Sequence, residues 1–348
     1  MGHDANVLEP EFGGGTAAPD DPIRNEWFPV ARCADVGPGD AIPFRLLGER
    51  CVLLCSAEHT LTALPDTCTH RGARLSLGTF DGSRLTCPYH GWRFGTDGTC
   101  EERPAHPGVA IPAGCHLPAF AVQERYGLVW VCLGDGTRQP PQYDAYADYP
   151  GRTGIIGPKK LSATGPRVVE NFLDVAHLPF VHAGYLGREP HTEYREHDVV
   201  EIDGELRAVD VVVWQPTPSP RATEGGDVHY EYGVSHPYAA RLSKIPSEAD
   251  GGVLGGFSLL LVATPETEAR CRVWILSTVF DPDADLAGYD AFNELIFSQD
   301  IDMVESQHPK RLPLDIRSEM HQKADKMSLA YRRWLVERGI RYGTSRNG

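Results

Sequence analysis

The stretch Cys68-Thr69-His70-Arg71-Gly72 is separated by a short segment from Cys87-Pro88-Tyr89-His90-Gly91, and these two stretches decide what the first part of the chain folds around. In each stretch, a histidine follows a cysteine within three residues. Thiolates and neutral imidazoles are both common metal ligands in proteins. The pattern therefore predicts one site with two cysteine and two histidine ligands, namely Cys68, His70, Cys87 and His90.

This ligand set is that of a Rieske [2Fe–2S] cluster, in which cysteines hold one iron and histidines replace cysteines on the other. The neutral imidazoles raise the reduction potential to roughly −150 to +300 mV, which suits a one-electron relay. A structural zinc site is the alternative, but zinc fingers place both cysteines before both histidines. We expect Gly72 and Gly91 to let backbone amides approach the cluster sulfurs.

A second group of potential ligands lies in the segment Glu170-Asn171-Phe172-Leu173-Asp174-Val175-Ala176-His177-Leu178-Pro179-Phe180-Val181-His182. On a helix, Asp174 and His177 would share one face because they are three residues apart. Pro179 disfavours continuation of that helix, so His182 can approach from a separate turn. Two histidines and one carboxylate form the facial triad that leaves positions on iron(II) open for dioxygen. The segment therefore predicts a mononuclear iron site.

The carboxylate of this triad is predicted in the segment 290–305. Asp300 shares a helical stripe with Phe292, Ile296 and Met303, so a helix here would turn it toward the core. A buried carboxylate is costly without a cation, which iron would supply. Asp302 has polar neighbours at helical spacing, so we expect it at the surface. It is the alternative candidate for the third iron ligand.

Both motifs together resemble the Rieske non-haem iron oxygenases, in which a cluster domain precedes a catalytic domain with the pattern Asp-x-x-His-x-x-x-x-His. The resemblance implies that the four residues of the first motif hold the cluster and that His177 and His182 hold the iron. It also implies that Asp174 bridges an iron-ligand histidine and a cluster histidine of the neighbouring subunit, the counterpart of His90. Asn171 matches a polar residue near the iron.

The resemblance extends to the late helix and the C-terminal segment. The monooxygenase branch carries an aspartate followed five residues later by a glutamate, as Asp300 and Glu305 do, but Gln299 replaces the acid that usually precedes them. The segment 324–335 resembles the pheophorbide-oxygenase-like, natural-product branch, and its pattern also fits an amphipathic helix that packs Met327, Tyr331 and Trp334 onto the core.

The chain of 348 residues, 41% of them apolar, is long enough for two domains. We predict an α+β protein with an all-β Rieske domain at 25–135 and a catalytic domain at 159–343, whose curved antiparallel sheet grips a helix as the family resemblance implies. Residues 1–24 read as a disordered arm and 136–158 as a linker. Hairpin turns are expected at Tyr126-Gly127, at Asp203-Gly204 and near Pro265-Glu266.

Composition restricts the partners and the compartment. The net charge of −15 argues against nucleic acid and anionic membranes. No signal peptide or stretch of 18 apolar residues is apparent, so we expect no membrane association. Seven of the nine cysteines lie outside the cluster motif without the spacing of a disulfide framework, which favours a reduced, cytoplasmic protein.

These patterns predict the terminal oxygenase of a multicomponent system that hydroxylates or dealkylates a small organic substrate with O₂. Electrons would come from NAD(P)H through a separate ferredoxin or reductase, because the sequence has no Gly-x-Gly-x-x-Gly loop. The resemblance implies a head-to-tail homotrimer. A cis-dihydroxylating dioxygenase is the alternative. A Rieske electron carrier would not need the second motif, and a respiratory subunit would have cysteines where Ala73 and Tyr89 stand.

Overall fold

The computed structural model describes residues 15–220, 222–246 and 255–346. Its first part consists of short antiparallel strands in three small sheets. The sheets have the orders β1-β10-β9, β2-β3-β4 and β5-β6-β7-β8. In chain order the strands are β1 Phe28–Arg32, β2 Ala41–Leu46, β3 Glu49–Cys55, β4 Leu61–Pro65, β5 Thr79–Phe80, β6 Arg84–Thr86, β7 Arg93–Gly95, β8 Cys100–Glu102, β9 Ala121–Arg125 and β10 Leu128–Cys132.

The second part is organised around one seven-stranded antiparallel sheet with the strand order β11-β17-β16-β15-β14-β13-β12. Register shifts interrupt β11, β13, β14 and β16, and such irregularities bend strands. The strands are β11 Thr153–Leu161, β12 Asp198–Ile202, β13 Glu205–Gln215, β14 Gly226–His236, β15 Ala239–Ile245, β16 Phe257–Thr267 and β17 Arg270–Val279. A short parallel pair, β18 Leu312–Pro313 and β19 Thr344–Ser345, lies near the C-terminus.

Helices cover this sheet and carry the second motif. Helix α2 contacts β15 and β16, α4 contacts β11 and β17, and α5 contacts β12 and β13. As predicted, α5 buries Met327, Tyr331 and Trp334. The helices are α1 Asp144–Asp148, α2 Gly165–Leu173, α3 Leu178–Val181, α4 Leu286–Ser306 and α5 Lys326–Glu337. The predicted α+β class, with an all-β first part and an antiparallel sheet in the second, is confirmed.

The structure corrects two predicted segment assignments. Residues 15–24 were predicted to be part of a disordered arm, but Ile23 is fully buried and Asp21 accepts a hydrogen bond of 3.0 Å from the Tyr342 N–H. Residues 1–14 lie outside the described ranges. The predicted linker 136–158 contains α1 and the first residues of β11, so the catalytic sheet begins at Thr153. The domain division itself stays a prediction.

The predicted hairpins are present, and one turn is displaced. Strands β9 and β10 meet at Tyr126-Gly127, and β12 and β13 meet at Asp203-Gly204, where Asp203 and Gly204 have φ of 52° and 80°. The turn between β16 and β17 was predicted near Pro265-Glu266 but lies at 268–269. Pro265 instead lies within β16 beside a register shift, a position that tolerates its missing N–H. No helix in the described ranges has the length and apolar content to span a membrane.

Candidate metal centres

The two loops that carry the predicted cluster ligands are built alike. The Gly72 N–H donates to the Cys68 carbonyl at 2.9 Å, and the Gly91 N–H donates to the Cys87 carbonyl at 3.1 Å. Both glycines have a positive φ, 70° and 67°, which favours a residue without Cβ. The glycines therefore allow each loop to turn back on its cysteine. Backbone hydrogen bonds from His70 and Arg71 to the Cys68 thiol place loop amides at a ligand sulfur, as the sequence predicts.

The side chains of these loops form a site with a buried and an exposed half. Cys68 and Cys87 are buried free thiols, whereas His70 and His90 are exposed and their rings lie 4.5 Å apart. Burial, aided by the neighbouring Cys87 thiol, raises the pKa of Cys68 to about 11. Without a metal the thiol would stay protonated. The arrangement fits a cluster with an inner thiolate-bound iron and an outer imidazole-bound iron.

His177 and His182 flank α3, which is a single helical turn. Helix α2 ends at Leu173 and Asp174 has an extended backbone, so the prediction that Asp174 and His177 share a helical face was wrong. The Ala176 N–H instead donates to Asp174 Oδ1 at 2.8 Å and forms a local turn. A new helix then starts at Leu178, where Pro179 is tolerated because the first turn needs no amide donor.

Asp300 reaches the histidines from the long helix α4. The residues that this helix buries are four, three and four apart, which is the spacing of one helical face: Asn293, Phe297, Asp300 and Val304. Asp302 is exposed, as the sequence predicts. Met303 was placed on the inward stripe but is 49% exposed, because the buried face is centred one residue away from the predicted stripe.

His177, His182 and Asp300 converge on one point. The two Nε2 atoms lie 3.2 Å apart, and Asp300 Oδ1 lies 3.4 Å from that of His177 and 3.3 Å from that of His182. Asp300 Oδ1 is buried without a hydrogen-bond partner among the described residues. Ligand atoms that each bind one ion at roughly 2.1 Å and at right angles would lie about 3.0 Å apart. These three residues therefore fit a divalent metal ion.

Hydrogen bonds on the far side orient both imidazoles toward this point. His182 Nδ1 lies 2.9 Å from Gln299 Oε1, and His177 Nδ1 lies 3.2 Å from Asp174 Oδ2. Because both partner oxygens are acceptors, each Nδ1 carries the proton and each Nε2 can present its lone pair to a metal. Sequence reasoning missed this role of Gln299, whose one signal is its position next to Asp300.

The pKa values reflect the concentration of charge at this site. Burial alone would lower the pKa of His177, but the carboxylates of Asp174 and Asp300 raise it to about 9. Burial would likewise raise the pKa of Asp300, but the adjacent imidazoles of His177 and His182 lower it to about 2. Asp300 is therefore ionised at neutral pH, which is the state required of a metal ligand.

An apolar cavity opens beside the three converging residues. Its walls come from α2, the sheet and α4, with Asn171, Phe172, Tyr232, Leu242, Phe292 and Phe297 among the lining side chains. Strands β14, β15, β16 and β17 each supply residues of this lining. The contribution of α4 was missed, because its apolar residues were interpreted as core. A cavity next to a metal site can hold an organic substrate.

A buried ion-pair network fixes α2 against α5. Glu170 accepts hydrogen bonds from Arg332 Nε at 2.6 Å and from Arg167 Nη1 at 3.2 Å. Arg167 Nη2 also donates to Glu319 at 2.7 Å, and Arg332 pairs with Glu319 as well. These contacts hold the end of α2, from which Asn171 and Asp174 project, and sequence reasoning missed them.

Two family profiles match consecutive parts of the chain. The Rieske [2Fe-2S] domain profile matches residues 26–117. The profile of the vanillate O-demethylase oxygenase C-terminal domain matches residues 161–339, about half of the chain. The first match contains both loops of the predicted cluster site. The second contains all three residues of the metal-binding group.

Individual relatives agree with these profiles. The methylxanthine N1-demethylase NdmA of Pseudomonas putida is 32% identical over 332 residues, which cover 90% of this chain and 89% of NdmA. The methylxanthine N3-demethylase NdmB of the same organism is 28% identical over 328 residues, with 90% and 89% covered. The solved structure of NdmA with caffeine superposes with a TM-score of 0.76 at 31% identity and covers 91% of each chain.

A more distant solved structure shares the fold. Dicamba monooxygenase bound to dicamba superposes with a TM-score of 0.73 at 22% identity, covering 91% of this chain and 97% of that one. The similarity extends over both parts of the molecule. The chain also has the cluster motif in its first part and the converging metal ligands in its second. The chain therefore belongs to the Rieske non-haem iron oxygenases and is an oxidoreductase of their monooxygenase type.

Proposed function

We propose that this enzyme oxidatively removes a methyl group from a nitrogen or oxygen atom of a small organic substrate. The observation that carries the proposal is the convergence of His177, His182 and Asp300 beside an apolar cavity. Two relatives are named as N-demethylases, and the C-terminal profile is named for an O-demethylase. Hydroxylation of a methyl carbon on a heteroatom gives an unstable product that releases formaldehyde.

The overall reaction consumes one dioxygen, two electrons and two protons. One oxygen atom is added to the methyl carbon and the other leaves as water. Cys68, His70, Cys87 and His90 would hold the [2Fe–2S] cluster that supplies single electrons. His177, His182 and Asp300 would hold the iron(II), which supplies the open positions for dioxygen.

The residues around the iron site have separate tasks. Asp174 and Gln299 fix the proton on each Nδ1 and thereby the orientation of the ligand histidines. Asn171 lines the cavity and offers an amide to a substrate. Phe172 and Phe297 exclude water from the space beside the ligands. In this proposal Asp174 is a positioning residue and Asn171 contacts the substrate.

The active assembly in this proposal is a head-to-tail homotrimer in which Asp174 also meets His90 of a neighbouring subunit. The Asp174 side chain is 31% exposed. It lines a polar hollow of about 420 Å³ together with Glu319, His321 and Arg332, so it can be reached from outside its own subunit. His90 is exposed at its loop. Heterologous contacts of this kind close into rings.

The electron donor is a separate protein, which the proposal identifies as a ferredoxin or an NAD(P)H-dependent reductase. We place the enzyme in the cytoplasm, because the seven cysteines outside the cluster motif are free thiols and reducing compartments preserve thiols. Neither nucleic acid nor a membrane is part of the proposed function. The natural-product branch suggested by residues 324–335 stays a prediction.

Formaldehyde release tests the proposed reaction. The holoenzyme, reduced through a ferredoxin and reductase pair, is supplied with O₂ and a panel of N-methyl and O-methyl aromatic compounds. We expect formaldehyde in proportion to NADH consumed for at least one compound, and none with Asp300→Ala. Formation of a cis-diol without formaldehyde would contradict the proposal and favour a dioxygenase.

A further inference from the structure

The two histidines of the predicted cluster site have different aromatic neighbours. The rings of His70 and Trp92 stack with their centroids 4.7 Å apart and their planes within 3° of parallel. His90 instead contacts Tyr89, whose ring is tilted by 41° and is 63% exposed. A parallel ring contact restricts rotation of an imidazole, because most other orientations would break the stack. His70 is therefore held in one orientation by Trp92.

Trp92 is itself fixed by the ligand loop and by the core. The Cys87 N–H donates to the Trp92 carbonyl at 2.8 Å and closes the loop that starts at Cys87. The Trp92 side chain is half-buried and packs against an apolar core that contains Leu75, Phe94 and both predicted cysteine ligands. The indole is thus a fixed surface against which the His70 ring rests.

A guanidinium lies over the same indole. Arg103 Cζ is 5.9 Å from the centre of the Trp92 ring. Arg103 Nη2 donates to the backbone carbonyls of Val109 and Ala110, at 3.3 and 2.7 Å, and these bonds hold the guanidinium in place. Among the described residues, no carboxylate lies within salt-bridge distance of Arg103. Its positive charge is therefore not compensated locally.

Two other arginines of the same small sheet are neutralised by carboxylates. Arg84 pairs with Glu101 at 2.7 Å, and Arg93 pairs with Glu102. Carbonyl oxygens orient a guanidinium without cancelling its charge, whereas carboxylates cancel it. Arg103 thus differs from these neighbours in adding a net charge beside the stacked rings.

The surrounding sequence keeps acidic groups away from this site. The segments 67–80, 82–96 and 103–116 contain no aspartate or glutamate, although the whole chain has a net charge of −15. The third segment contacts the first, because the Thr69 hydroxyl donates to the Cys115 carbonyl at 2.9 Å. These segments include both ligand loops and Arg103, so the cluster site is locally basic in an acidic protein.

A local positive charge acts on the reduction of such a cluster. An oxidised [2Fe–2S] cluster with two thiolate and two neutral imidazole ligands has no net charge, and one added electron makes it anionic. A fixed cation nearby stabilises the anionic form more than the neutral form. It therefore raises the reduction potential and favours acceptance of an electron from a donor protein.

We propose that Trp92 and Arg103 form a stack on His70 that orients this ligand and raises the reduction potential of the cluster. Trp92 is a positioning residue, and Arg103 supplies the charge. This inference rests on the proposed function through the cluster ligands that it assigns.

A spectroelectrochemical titration of the holoenzyme tests the role of Arg103. We expect Arg103→Gln to lower the equilibrium constant for one-electron reduction of the cluster by about threefold to tenfold. Arg103→Lys keeps the charge and should stay within about twofold of the wild type. The inference is overturned if Arg103→Gln has the wild-type constant, or if Arg103→Lys lowers it as much as Arg103→Gln does.

Arg125→Gln is the matched control for the loss of one charge. Arg125 also lies over an aromatic ring, with Cζ 4.8 Å from the centre of Tyr126, but on β9 in a different sheet of the first part. It should keep the wild-type equilibrium constant. An equal decrease in Arg125→Gln and Arg103→Gln would show a general effect of net charge and would overturn the specific role of Arg103.

The reduced-state EPR signal tests the role of Trp92. Trp92→Leu removes the ring that restrains His70, so we expect a broader signal from a wider range of imidazole orientations. Trp92→Phe retains a smaller aromatic ring and should restore most of the wild-type line width, with shifted g values. It also covers the case that Trp92→Leu does not assemble its cluster. Wild-type g values and line widths in every Trp92 variant that retains a cluster would overturn the positioning role.

Formaldehyde release is measured separately, so the two proposals fail in different ways. Unchanged potentials and EPR signals in these variants, with demethylation intact, would remove this inference and leave the proposed function. A wild-type EPR signal typical of a cluster with four cysteine ligands would instead remove His70 as a ligand, and with it the cluster assignment in the proposed function.

Discussion

The two histidines at the iron site differ in the groups that orient them. His177 donates to the carboxylate of Asp174, whereas His182 donates to the amide of Gln299. A carboxylate raises the basicity of its imidazole more than an amide does, because it carries a full negative charge. His177 is therefore expected to be the more basic metal ligand of the two, and His182 the less basic one.

Replacement of Gln299 tests this orienting role. Gln299→Leu removes the acceptor for the His182 Nδ1–H, so we expect mononuclear iron to bind about 10- to 100-fold more weakly, with the cluster spectrum unchanged. Gln299→Glu should restore tight binding. The measurement is an anaerobic Fe(II) titration of protein freed of its mononuclear iron. Ser298→Ala on the exposed side of α4 is the control, and unchanged iron affinity in Gln299→Leu would remove the role of Gln299.

Asp174→Asn separates electron transfer from metal binding. The substitution keeps the size of the side chain and loses its charge. We expect both metal sites to fill and the cluster to be reduced normally. Reoxidation of the reduced cluster by O₂ with substrate should slow by at least about tenfold. Stopped-flow absorption of the cluster follows this step, and wild-type reoxidation would contradict the role of Asp174.

Residues whose type and spacing are typical of metal ligands could be predicted from the sequence. The Cys-x-His and Cys-x-x-His pairs, His177, His182 and the inward orientation of Asp300 followed from ligand type and helical periodicity. The role of Gln299 could not be predicted, because it depends on His182, which lies 117 residues away in the sequence.

At the scale of elements, the position of α2 depends on the buried pairs of Glu170 and Glu319 with Arg167 and Arg332. The side chains of Arg167 and Arg332 are almost completely buried. Removal of one partner from such a network leaves a buried charge uncompensated. The network therefore holds the end of α2 from which Asp174 and Asn171 project.

Arg332→Met should lower the free energy of unfolding by about 3 kcal/mol, because Glu170 and Glu319 each lose one buried partner. Urea unfolding followed by circular dichroism measures the change. Arg317→Met, at an exposed arginine that pairs with Asp315, should leave unfolding unchanged. Equal stabilities of the two variants would show that the network does not stabilise α2.

Hairpin turns could be predicted where the backbone conformation requires particular residue types. The Asp203-Gly204 turn needs positive φ at both residues, and that dipeptide is a strong hairpin signal. The turn between β16 and β17 was misplaced because proline usually marks loops, whereas Pro265 occupies an irregular position within a strand. Helix α3 was not anticipated, because four residues carry too little periodicity.

At the scale of the whole molecule, the two parts share one continuous interior. Strands β1 and β2 contact β16, and Thr264 Oγ1 donates to the Pro29 carbonyl at 2.7 Å. The hydrogen bond from the Tyr342 N–H to Asp21 also joins the two ends of the described chain. These contacts were not predicted, since they join residues far apart in sequence.

Mixed trimers test the proposed route of electrons between subunits. His90→Cys should disable the cluster, and Asp300→Ala should disable the iron site. Coexpression of the two variants should restore part of the wild-type activity if electrons cross from one subunit to the next. No recovery in verified mixed trimers, with each variant's other metal site intact, would place both working centres in one chain.

The central claim is that one chain holds a [2Fe–2S] cluster and, separately, a mononuclear iron bound by His177, His182 and Asp300. The most direct measurement is the ratio of iron to acid-labile sulfide in purified wild type, Asp300→Ala and Asp302→Ala, with the reduced-state EPR signal of the cluster recorded alongside. We predict more iron than sulfide in the wild type and in Asp302→Ala, equal amounts in Asp300→Ala, and the same cluster signal in all three. Excess iron retained in Asp300→Ala but lost in Asp302→Ala would contradict the assignment.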